Sequence, residues 1–380
     1  MRILHTGDWH LGKLFYGSYL TEEQAYVLFE QFIPMVRDME PDVIILAGDV
    51  YDRSLPPAEA VVLFDEVLTK IVHELKVPLI VISGNHDSAE RLSFGSRLLA
   101  AQGLHLIGDL AHTMRPIELD DEFGPVSFVP IPYVEPAAVR HYLGRESIMD
   151  PQSALNALLR SQQVLVPPGQ RKVAIAHVFA AGGVTSESER PLSIGGTEVV
   201  DSTVFDGFSY AALGHLHGPQ QVGSDRVRYA GSLLKYSFGE ASQKKGISLI
   251  ELGKDGTIQH ERLPFTPRHD VRVISGNFQD LLAADDRHQD DYILARLSDT
   301  TPVLDGLGRL RSKYPRIMAL ETPNRVLAAD SNRFVNFKKV TEADMFQTFV
   351  ENMRGTSLSS AEETYMTDIW RRLWQGEGQQ

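Results

Sequence analysis

This chain of 380 residues contains no cysteine, no long apolar run and no excess of positive charge. Without thiols it cannot form disulfides, thiolate metal sites or a cysteine nucleophile, so any metal must be held by nitrogen and oxygen ligands. No stretch approaches the roughly 18 uncharged apolar residues that a membrane-spanning helix needs. The first ten residues include Asp8 and His10, whereas a signal peptide has a wholly apolar segment. We therefore expect a cytoplasmic protein.

The charge balance is acidic, with 37 Lys and Arg against 50 Asp and Glu and a formal net charge of -13. Such a balance argues against a broad electrostatic footprint for nucleic acid. The composition is 43% hydrophobic and 23% charged, as in ordinary globular proteins. The length suits one large domain with one or two small ones.

Five apolar segments share one pattern, in which a buried strand stops at an acid, an amide or a histidine. Helical patterns at 22–39 and 57–75 lie between the first of them. Alternating strands and helices predict an α/β fold, whose polar clusters gather at the carboxyl ends of the strands. The five segments are 2–10, 42–52, 77–87, 172–179 and 210–217.

The pattern changes after the fifth segment. Residues 227–238 and 245–263 read as antiparallel strands, the second with a hairpin turn at 254–256, and we expect them to close a second sheet behind the first. From 271 to 321 the order strand, helix, strand, helix, strand predicts a small α+β unit.

The C-terminal region has two helical patterns, at 341–353 and 360–375. Each carries one apolar stripe and begins with a capping-box pattern. The chain is thus predicted to have a main domain at 1–266, a small α+β capping domain at 267–335 and a helical tail at 336–380.

Seven potential metal ligands follow the five predicted strands. Taken singly, each has an ordinary structural explanation as a turn or cap residue, but the fold brings all of them to one edge. Alternation along a strand predicts that Asp8 and His10 share one ion, and that His215 and His217 share one. Oxygen and imidazole donors suit manganese, iron, zinc or magnesium, and two such ions can clamp a phosphoryl displacement. The seven residues are Asp8, His10, Asp49, Asn85, His177, His215 and His217.

These residues also carry a family resemblance. The motifs "GDWH", "GDVYD", "GNHD", "AH" and "GHLH" occur in the order and spacing of the calcineurin-like metallophosphoesterases. More narrowly, "MRILHTGDWHLGK", "GDVYDRSLPP", "GNHDSAERL" and "YAALGHLHGPQ" resemble the SbcD family, the nuclease subunits of bacterial SbcCD repair complexes. The clear motifs run from Met1 to about Phe238, and they depart from the family at Gly7, where serine is usual.

The resemblance implies a two-sheet metallophosphoesterase sandwich flanked by helices, with two manganese ions at its rim. One ion would be held by Asp8, His10 and His217, the other by Asn85, His177 and His215, with Asp49 bridging them. It further implies that His86 protonates the leaving oxygen. Asp52 and Asp87 would orient a histidine or a loop without binding metal.

The resemblance implies a DNA nuclease with 3′ to 5′ exonuclease action on duplex ends and endonuclease action on single strands and hairpins. An SbcC-type ATPase would supply most of the grip on DNA, in a heterotetramer built on a homodimer. The tail would bind this partner through Phe346, Phe349, Trp370 and Trp374, or pack on its own domain. Two alternatives remain, a phosphoesterase for small-molecule or protein substrates and a non-catalytic scaffold subunit.

Overall fold

The computed structural model describes residues 1–110, 115–189 and 199–322, with isolated positions between 350 and 369. Residues 1–296 and 303–321 belong to one compact unit, and a second unit contains 297–302 and the described positions from 322 onward. The predicted partner-binding residues Phe346, Phe349, Trp370 and Trp374 lie outside the described residues.

The described residues form β-strands that are numbered here in chain order. They are β1 (Arg2–Thr6), β2 (Leu14–Phe15), β3 (Ser18–Tyr19), β4 (Val43–Ala47), β5 (Leu79–Ile82), β6 (Leu104–Ile107), β7 (Ile117–Asp121), β8 (Gly124–Ile131), β9 (Arg171–His177), β10 (Phe179–Ala180), β11 (Val199–Val200), β12 (Tyr210–Gly214), β13 (Gln220–Val222), β14 (Ser224–Tyr229), β15 (Gly246–Leu252), β16 (Ile258–Pro264), β17 (Val271–Gly276), β18 (Tyr292–Leu297) and β19 (Ile317–Glu321).

The described helices alternate with these strands in the first part of the chain. They are α1 (Thr21–Val27), α2 (Ile33–Met39), α3 (Ala58–Leu68), α4 (Ala89–Leu92), α5 (Ser96–Ala100), α6 (Pro136–Leu143), α7 (Pro151–Gln163), α8 (Phe278–Ala283) and α9 (Gly306–Arg311). A π-helical turn at Leu28–Phe32 joins α1 to α2, and a second at Thr69–Glu74 extends α3. Both predicted helices, 22–39 and 57–75, are therefore confirmed. Within the described ranges, no helix is long and apolar enough to cross a membrane.

Two six-stranded sheets make up the body of the fold. The first has the order β16-β15-β1-β4-β5-β6, and the second has the order β13-β14-β12-β9-β8-β7. Strands β1, β4, β5 and β6 of the first sheet are parallel, as are β8, β9, β12 and β14 of the second. Two small sheets, β2-β3 and β10-β11, lie in loops.

Three apolar clusters place these sheets face to face between layers of helix. Ile3 and Ile45 of the first sheet share a buried cluster with Val173 and Ile175 of the second. Their sequence neighbours point the other way, so that Leu4 and Ile44 belong to the cluster that holds the residues of α1, α2 and α3. A third cluster joins the outer face of the second sheet to α6 and α7. This period-two alternation in continuous apolar strands produces the four-layered α/β architecture that the family resemblance implied.

The structure corrects the sequence-based assignment of strands to sheets. The hairpin β15–β16 does not join the second sheet, because β15 pairs antiparallel with β1 and so extends the first sheet. The second sheet is built around β9 and β12, which were expected to continue the first. The predicted strand at 227–238 does belong to the second sheet, as β14, but it ends early, at Tyr229. The apolar period specified each strand and its faces but not the partner beside it.

The predicted α+β unit is present as the sheet β17-β18-β19 with helices α8 and α9. Strands β18 and β19 are parallel, and Phe278 and Leu310 of the two helices are buried. Of the predicted tail helices, the described positions 350, 362, 364–366 and 369 are helical. Ser359 and Glu362 exchange capping-box hydrogen bonds of 2.9 and 3.4 Å, one residue before the predicted capping-box pattern at the start of 360–375.

Candidate metal centre

The loops that follow β1, β4 and β12 carry the predicted ligands in an uncommon backbone conformation. The φ angles of Asp8, His10, Asp49 and His215 are 51°, 45°, 48° and 108°. Positive φ is unfavourable for residues other than glycine, and such strain clusters at functional sites. Backbone hydrogen bonds hold the loops together, from His10 N to Asp49 O at 2.9 Å and from Asp8 N to the Gly48 carbonyl at 3.0 Å. The fold thus enforces a geometry that regular strands would not provide.

Asp8, His10 and His217 meet as one group of donors. The Nε2 atoms of His10 and His217 lie 3.1 Å apart, and one ligand atom from each of the three residues falls within 4.8 Å of the others. Asp8 Oδ1 accepts a hydrogen bond from His215 N at 2.9 Å, whereas Asp8 Oδ2 is buried and has no hydrogen-bond partner. A buried carboxylate oxygen without a donor is costly unless a cation is bound to it.

Asn85, His177 and His215 form the second group. Asn85 Oδ1 lies 3.0 Å from His177 Nε2 and 3.2 Å from His215 Nδ1. His177 Nδ1 donates to the carbonyl oxygen of Ala47 at 2.9 Å, which leaves Nε2 as the nitrogen that can bind a metal. The amide oxygen and two imidazole nitrogens converge as ligands of one ion would.

Asp49 lies between the two groups. Its Oδ2 atom is 3.6 Å from His10 Nε2 and 3.4 Å from His177 Nε2, and its Oδ1 atom accepts a hydrogen bond of 2.8 Å from His86 N. A carboxylate that faces both groups through one oxygen has the position required of a bridging ligand.

The two histidines of "GHLH" belong to different groups, with His217 facing His10 and His215 facing Asn85. Alternation along a strand therefore does not describe this pair. Strand β12 ends at Gly214, and the positive φ of His215 turns its ring away from that of His217. The pairing implied by the family motifs agrees with this geometry, and the pairing expected from strand alternation does not.

His86 borders the site beside His10 and Asp49, with one of its ring nitrogens within 4.8 Å of a ligand atom of each. Its Nδ1 atom donates to the carbonyl oxygen of Asp52 at 2.8 Å, so that Nε2 is the nitrogen that can transfer a proton. The His86 ring packs edge-on against that of His10, with centroids 4.6 Å apart. The side chain is 7% exposed, so it lies at the surface edge of a buried cluster.

Asp52 and Asp87 support the loops. Asp52 Oδ1 lies 3.6 Å from His10 Nδ1 and accepts a hydrogen bond of 2.8 Å from Lys13. Asp87 accepts three backbone hydrogen bonds, from the N–H groups of Val50, Tyr51 and Gly84 at 2.9 to 3.1 Å. Asp87 therefore ties the "GDVYD" loop to the "GNHD" loop.

Burial and neighbouring charges together shift the pKa values of this cluster. It raises the pKa of Asp8 to about 7, although His177 and His217 oppose the change, and it lowers the pKa of His215 to about 3. Burial alone would lower the pKa of His177, but the Asp49 carboxylate outweighs it and raises that pKa to about 9. Burial would likewise raise the pKa of Asp49, but His177 holds it well below its usual range. Divalent cations would compensate these buried donors, so the residues present fit a metal centre.

Sequence reasoning missed a pair of residues that holds the first loop. Gln24 Nε2 on α1 donates to the carbonyl oxygens of Trp9 and His10 at 3.0 and 2.9 Å. The Tyr236 hydroxyl also donates to Trp9 O, and its ring packs against His10 and His217. Neither residue carries a recognisable motif, because their role depends on distant parts of the chain.

A buried polar network supports His217 from behind. His217 Nδ1 lies 2.6 Å from Ser188 Oγ and 3.5 Å from Glu240 Oε1, and Ser188 Oγ also donates to Glu240. Lys245 Nζ donates to Glu240 at 2.6 Å and to the His217 carbonyl at 2.8 Å. Glu189 accepts from the His217 backbone N–H at 2.6 Å. This network orients the ring so that Nε2 faces His10.

The chain is similar to known proteins over its whole length. A family model described as calcineurin-like phosphoesterase matches residues 1–219, and one described as type 5 capsule protein repressor C-terminal domain, with the short name SbcD_C, matches residues 267–354. The SbcD subunit of the nuclease SbcCD from Staphylococcus epidermidis is 34% identical over 382 residues, which covers 100% of both chains.

Solved structures offer only distant likeness. A protein of Thermus thermophilus is 15% identical with a TM-score of 0.40, and a dimetal phosphatase from Danio rerio is 14% identical with a TM-score of 0.37. Each match covers 69% of this chain and 98% of the other, and likeness at this level says nothing about activity. Family membership rests instead on the two family-model matches and on the full-length identity with the S. epidermidis subunit. The chain belongs to the calcineurin-like phosphoesterases and, within them, to the SbcD family.

Proposed function

We propose that this chain is the nuclease subunit of an SbcCD-type complex and hydrolyses DNA phosphodiesters as a metal-dependent enzyme. One observation carries the proposal, namely that six further nitrogen and oxygen donor residues from both sheets converge around Asp49, with Asp8 Oδ2 buried and unpaired. The sequence identity of 34% with the S. epidermidis nuclease subunit supports DNA as the substrate.

Two divalent cations, when bound, supply Lewis acidity toward the scissile phosphate and its attacking water. Asp8, His10 and His217 would hold one cation, and Asn85, His177 and His215 the other, with Asp49 shared between them. We propose manganese as the resident metal, since the donor set mixes imidazole with hard oxygen and has no thiolate.

His86 holds the proton that the leaving oxygen needs. Because its Nδ1–H is engaged by the Asp52 carbonyl, the ring is held in one orientation and Nε2 is the nitrogen assigned to proton transfer. A protonated Nε2 can donate to a departing sugar oxygen, and general-acid catalysis of this kind contributes about 10² to 10⁴ in rate.

The remaining assignments follow from family membership. Residues 1–266 would form the nuclease domain, 267–335 would cap it and contact DNA, and 336–380 would bind an SbcC-type ATPase. The complex would be a heterotetramer in the cytoplasm, with 3′ to 5′ exonuclease action on duplex ends and endonuclease action on hairpins. The partner would compensate for the net charge of -13 by supplying the main grip on duplex DNA.

Substrate class is tested with the purified full chain and manganese. Single-stranded DNA, bis-p-nitrophenyl phosphate and a phosphopeptide are offered in parallel, with Asp49→Asn as the inactive control. Cleavage of the two diesters supports the nuclease. Turnover of the phosphopeptide alone would favour a phosphoesterase for small-molecule or protein substrates, and no metal binding with no turnover would favour a scaffold.

The role of His86 is tested by comparing leaving groups. The His86→Gln variant should lose about 10² to 10⁴ in the cleavage rate of DNA, whose alkoxide leaving group needs a proton. It should lose far less with bis-p-nitrophenyl phosphate, because p-nitrophenolate leaves without one. Manganese affinity, measured by calorimetry, should stay unchanged, and equal losses on both substrates would refute the general-acid role.

A further inference from the structure

A cavity that none of the seven proposed metal ligands lines lies between outer strands of the two sheets. Its walls come from β13 and β14 of the second sheet and from β15 and β16 of the first, and the Gly218–Pro219 turn closes one side. Its volume is about 550 Å³, within the range of small-molecule sites. No part of the proposed hydrolytic mechanism uses this cavity.

The lining of this cavity is basic. Arg228, Lys244 and Arg262 line it together with His260 and Ser248, and no aspartate or glutamate is among the described residues of the lining. This is unusual in a chain with 50 acidic and 37 basic residues. Three cationic side chains around one concave surface make a local positive potential, which the net charge of -13 conceals.

Arg262 lacks the acceptors that a buried guanidinium requires. Its Nε and Nη2 atoms are buried without a hydrogen-bond partner, and Nη1 makes only a long contact of 3.4 Å with Ser248 Oγ. A buried charge without a counterion is strongly destabilising, which is why such groups are paired with an anion. The guanidinium presents several donors of fixed geometry, a shape suited to oxyanions.

The neighbouring histidine responds to the same positive charge. Burial, together with Arg228 and Arg262, lowers the pKa of His260 to about 4, so His260 is neutral near pH 7. Its Nε2 atom lies 3.1 Å from Ser248 Oγ. His260 and Ser248 therefore offer neutral hydrogen-bonding groups beside the two guanidinium groups.

We propose that this cavity binds a phosphate group, carried either by a free nucleotide or by a nucleic-acid strand. Arg262 and Arg228 would neutralise the oxyanion, Lys244 at the exposed rim would attract it, and Ser248 would add a neutral donor. A phosphate alone is much smaller than the cavity, so the group attached to it occupies the remainder. The Gly218–Pro219 turn directly follows His217, which makes the cavity a neighbour of the metal centre in the chain.

The test uses the full chain without metal, so that phosphate cannot bind through cations at the metal centre. Calorimetry measures binding of inorganic phosphate, deoxyadenosine monophosphate and an oligothymidylate of ten nucleotides, with the ionic strength held constant by added chloride salt. Arg262→Gln and Arg228→Gln should each weaken binding of the phosphate group by about tenfold or more. Arg226→Gln is the matched control, because Arg226 is an exposed arginine on the same strand and is not part of the lining.

The probes distinguish the two sources of phosphate. If the arginine substitutions weaken binding of the mononucleotide and the oligonucleotide equally, the cavity is assigned to a free nucleotide. If they weaken binding of the oligonucleotide alone, it is assigned to a nucleic-acid strand. Binding that survives in both Arg262→Gln and Arg228→Gln, or that falls equally in Arg226→Gln, would overturn the proposal, as would the absence of binding above the chloride background. The Arg228→Gln variant keeps the test decisive should Arg262→Gln fail to fold.

Discussion

Glycine at position 84 is required by the close approach of Asp49. A Cβ atom there would lie 2.2 Å from Asp49 Oδ1 and 2.4 Å from Asp49 N. Gly48 is constrained in the same way, since its Cβ would lie 2.2 Å from His177 Nδ1. At Gly7 a Cβ would meet nothing closer than Ala47 Cβ at 3.6 Å. The departure from the family serine at Gly7 is therefore sterically neutral, whereas the other two glycines bring ligand loops into contact.

This contrast makes Gly84→Ala and Gly7→Ala a matched pair. Gly84→Ala should displace Asp49, weaken manganese binding and lower the free energy of unfolding by about 1 to 3 kcal/mol through overpacking. Gly7→Ala should leave both quantities close to wild type, because it makes only ordinary contacts. Urea unfolding and calorimetric titration with manganese measure the two effects. Equal effects of the two substitutions would contradict the steric argument.

Ser188 offers a test of how His217 is oriented. Ser188→Ala removes the hydroxyl that lies 2.6 Å from His217 Nδ1 and also donates to Glu240, and it leaves the buried Lys245–Glu240 ion pair intact. We expect manganese affinity to fall about tenfold or more, with little change in melting temperature. Ser186→Ala, two residues earlier, is the control. The interpretation fails if both serine variants bind manganese as the wild type does.

The sequence indicated the ligands but not the residues that hold them. The seven donors could be predicted because each ends an apolar strand, and the ends of such strands meet at one rim. Gln24, Tyr236 and Ser188 could not, since they reach the site from a helix and two loops with no periodic pattern. Their contacts with the ligand loops join positions up to 227 residues apart in the chain.

At the scale of single elements, β1 contributes side chains to two apolar cores, one on each face of the first sheet. Its alternation sends Ile3 into the core between the sheets and Leu4 toward the helices. His5 also lies on the inner face, where Nδ1 is 2.8 Å from the Tyr210 hydroxyl and Nε2 is 3.2 Å from Leu213 O. His5 is therefore a core histidine whose two ring nitrogens both have hydrogen-bond partners.

The position of His5 predicts a pH dependence of folding. Burial is the main cause that lowers its pKa from 6.5 to about 3, so the unfolded chain binds a proton at this residue more readily than the folded one. The contribution of neutral His5 to stability is therefore complete above pH 6.5 and is lost as the pH falls toward 3.

A His5→Gln variant isolates this contribution. As the pH falls from about 6 to about 4, the unfolding free energy of the wild type should decrease relative to that of the variant by about 1.4 kcal/mol per pH unit. Urea unfolding at several pH values and constant ionic strength measures it. If the unfolding free energies of wild type and variant change with pH in parallel, His5 takes up a proton as readily in the folded chain as in the unfolded chain, and the prediction is wrong.

The pairing partner of a strand could not be predicted from the sequence of that strand alone. The hairpin β15–β16 was predicted from its turn and its alternation, and both features are present. Which sheet it joins depends on the backbone edge that β1 leaves open, and Leu4 pairs with Leu249 there. An apolar period specifies the faces of a strand but carries no information about the identity of its neighbour.

For the whole molecule, the donor set links the two halves of the sandwich. Asp8, Asp49 and Asn85 follow strands of the first sheet, whereas His177 and His215 belong to or follow strands of the second. Metal binding at this rim would therefore add links between two sheets that already meet through an apolar cluster and through hydrogen bonds such as that of His5 with Tyr210. The same arrangement places buried, imperfectly satisfied polar atoms at the rim when cations are absent.

Removal of metal should consequently destabilise the entire fold and not one loop. A cation that binds only the folded chain adds about 2.7 kcal/mol at a concentration of about 100 times its dissociation constant. For 380 residues the unfolding entropy is about 0.8 kcal/mol per kelvin, so we expect manganese to raise the melting temperature by about 3 °C for each bound cation in scanning calorimetry, and chelation to reverse the change. Asp49→Asn, which weakens the shared carboxylate, should abolish most of the shift, while Gly7→Ala should retain it. A manganese-dependent shift of the same size in Asp49→Asn would mean that the ion stabilises the protein from another site.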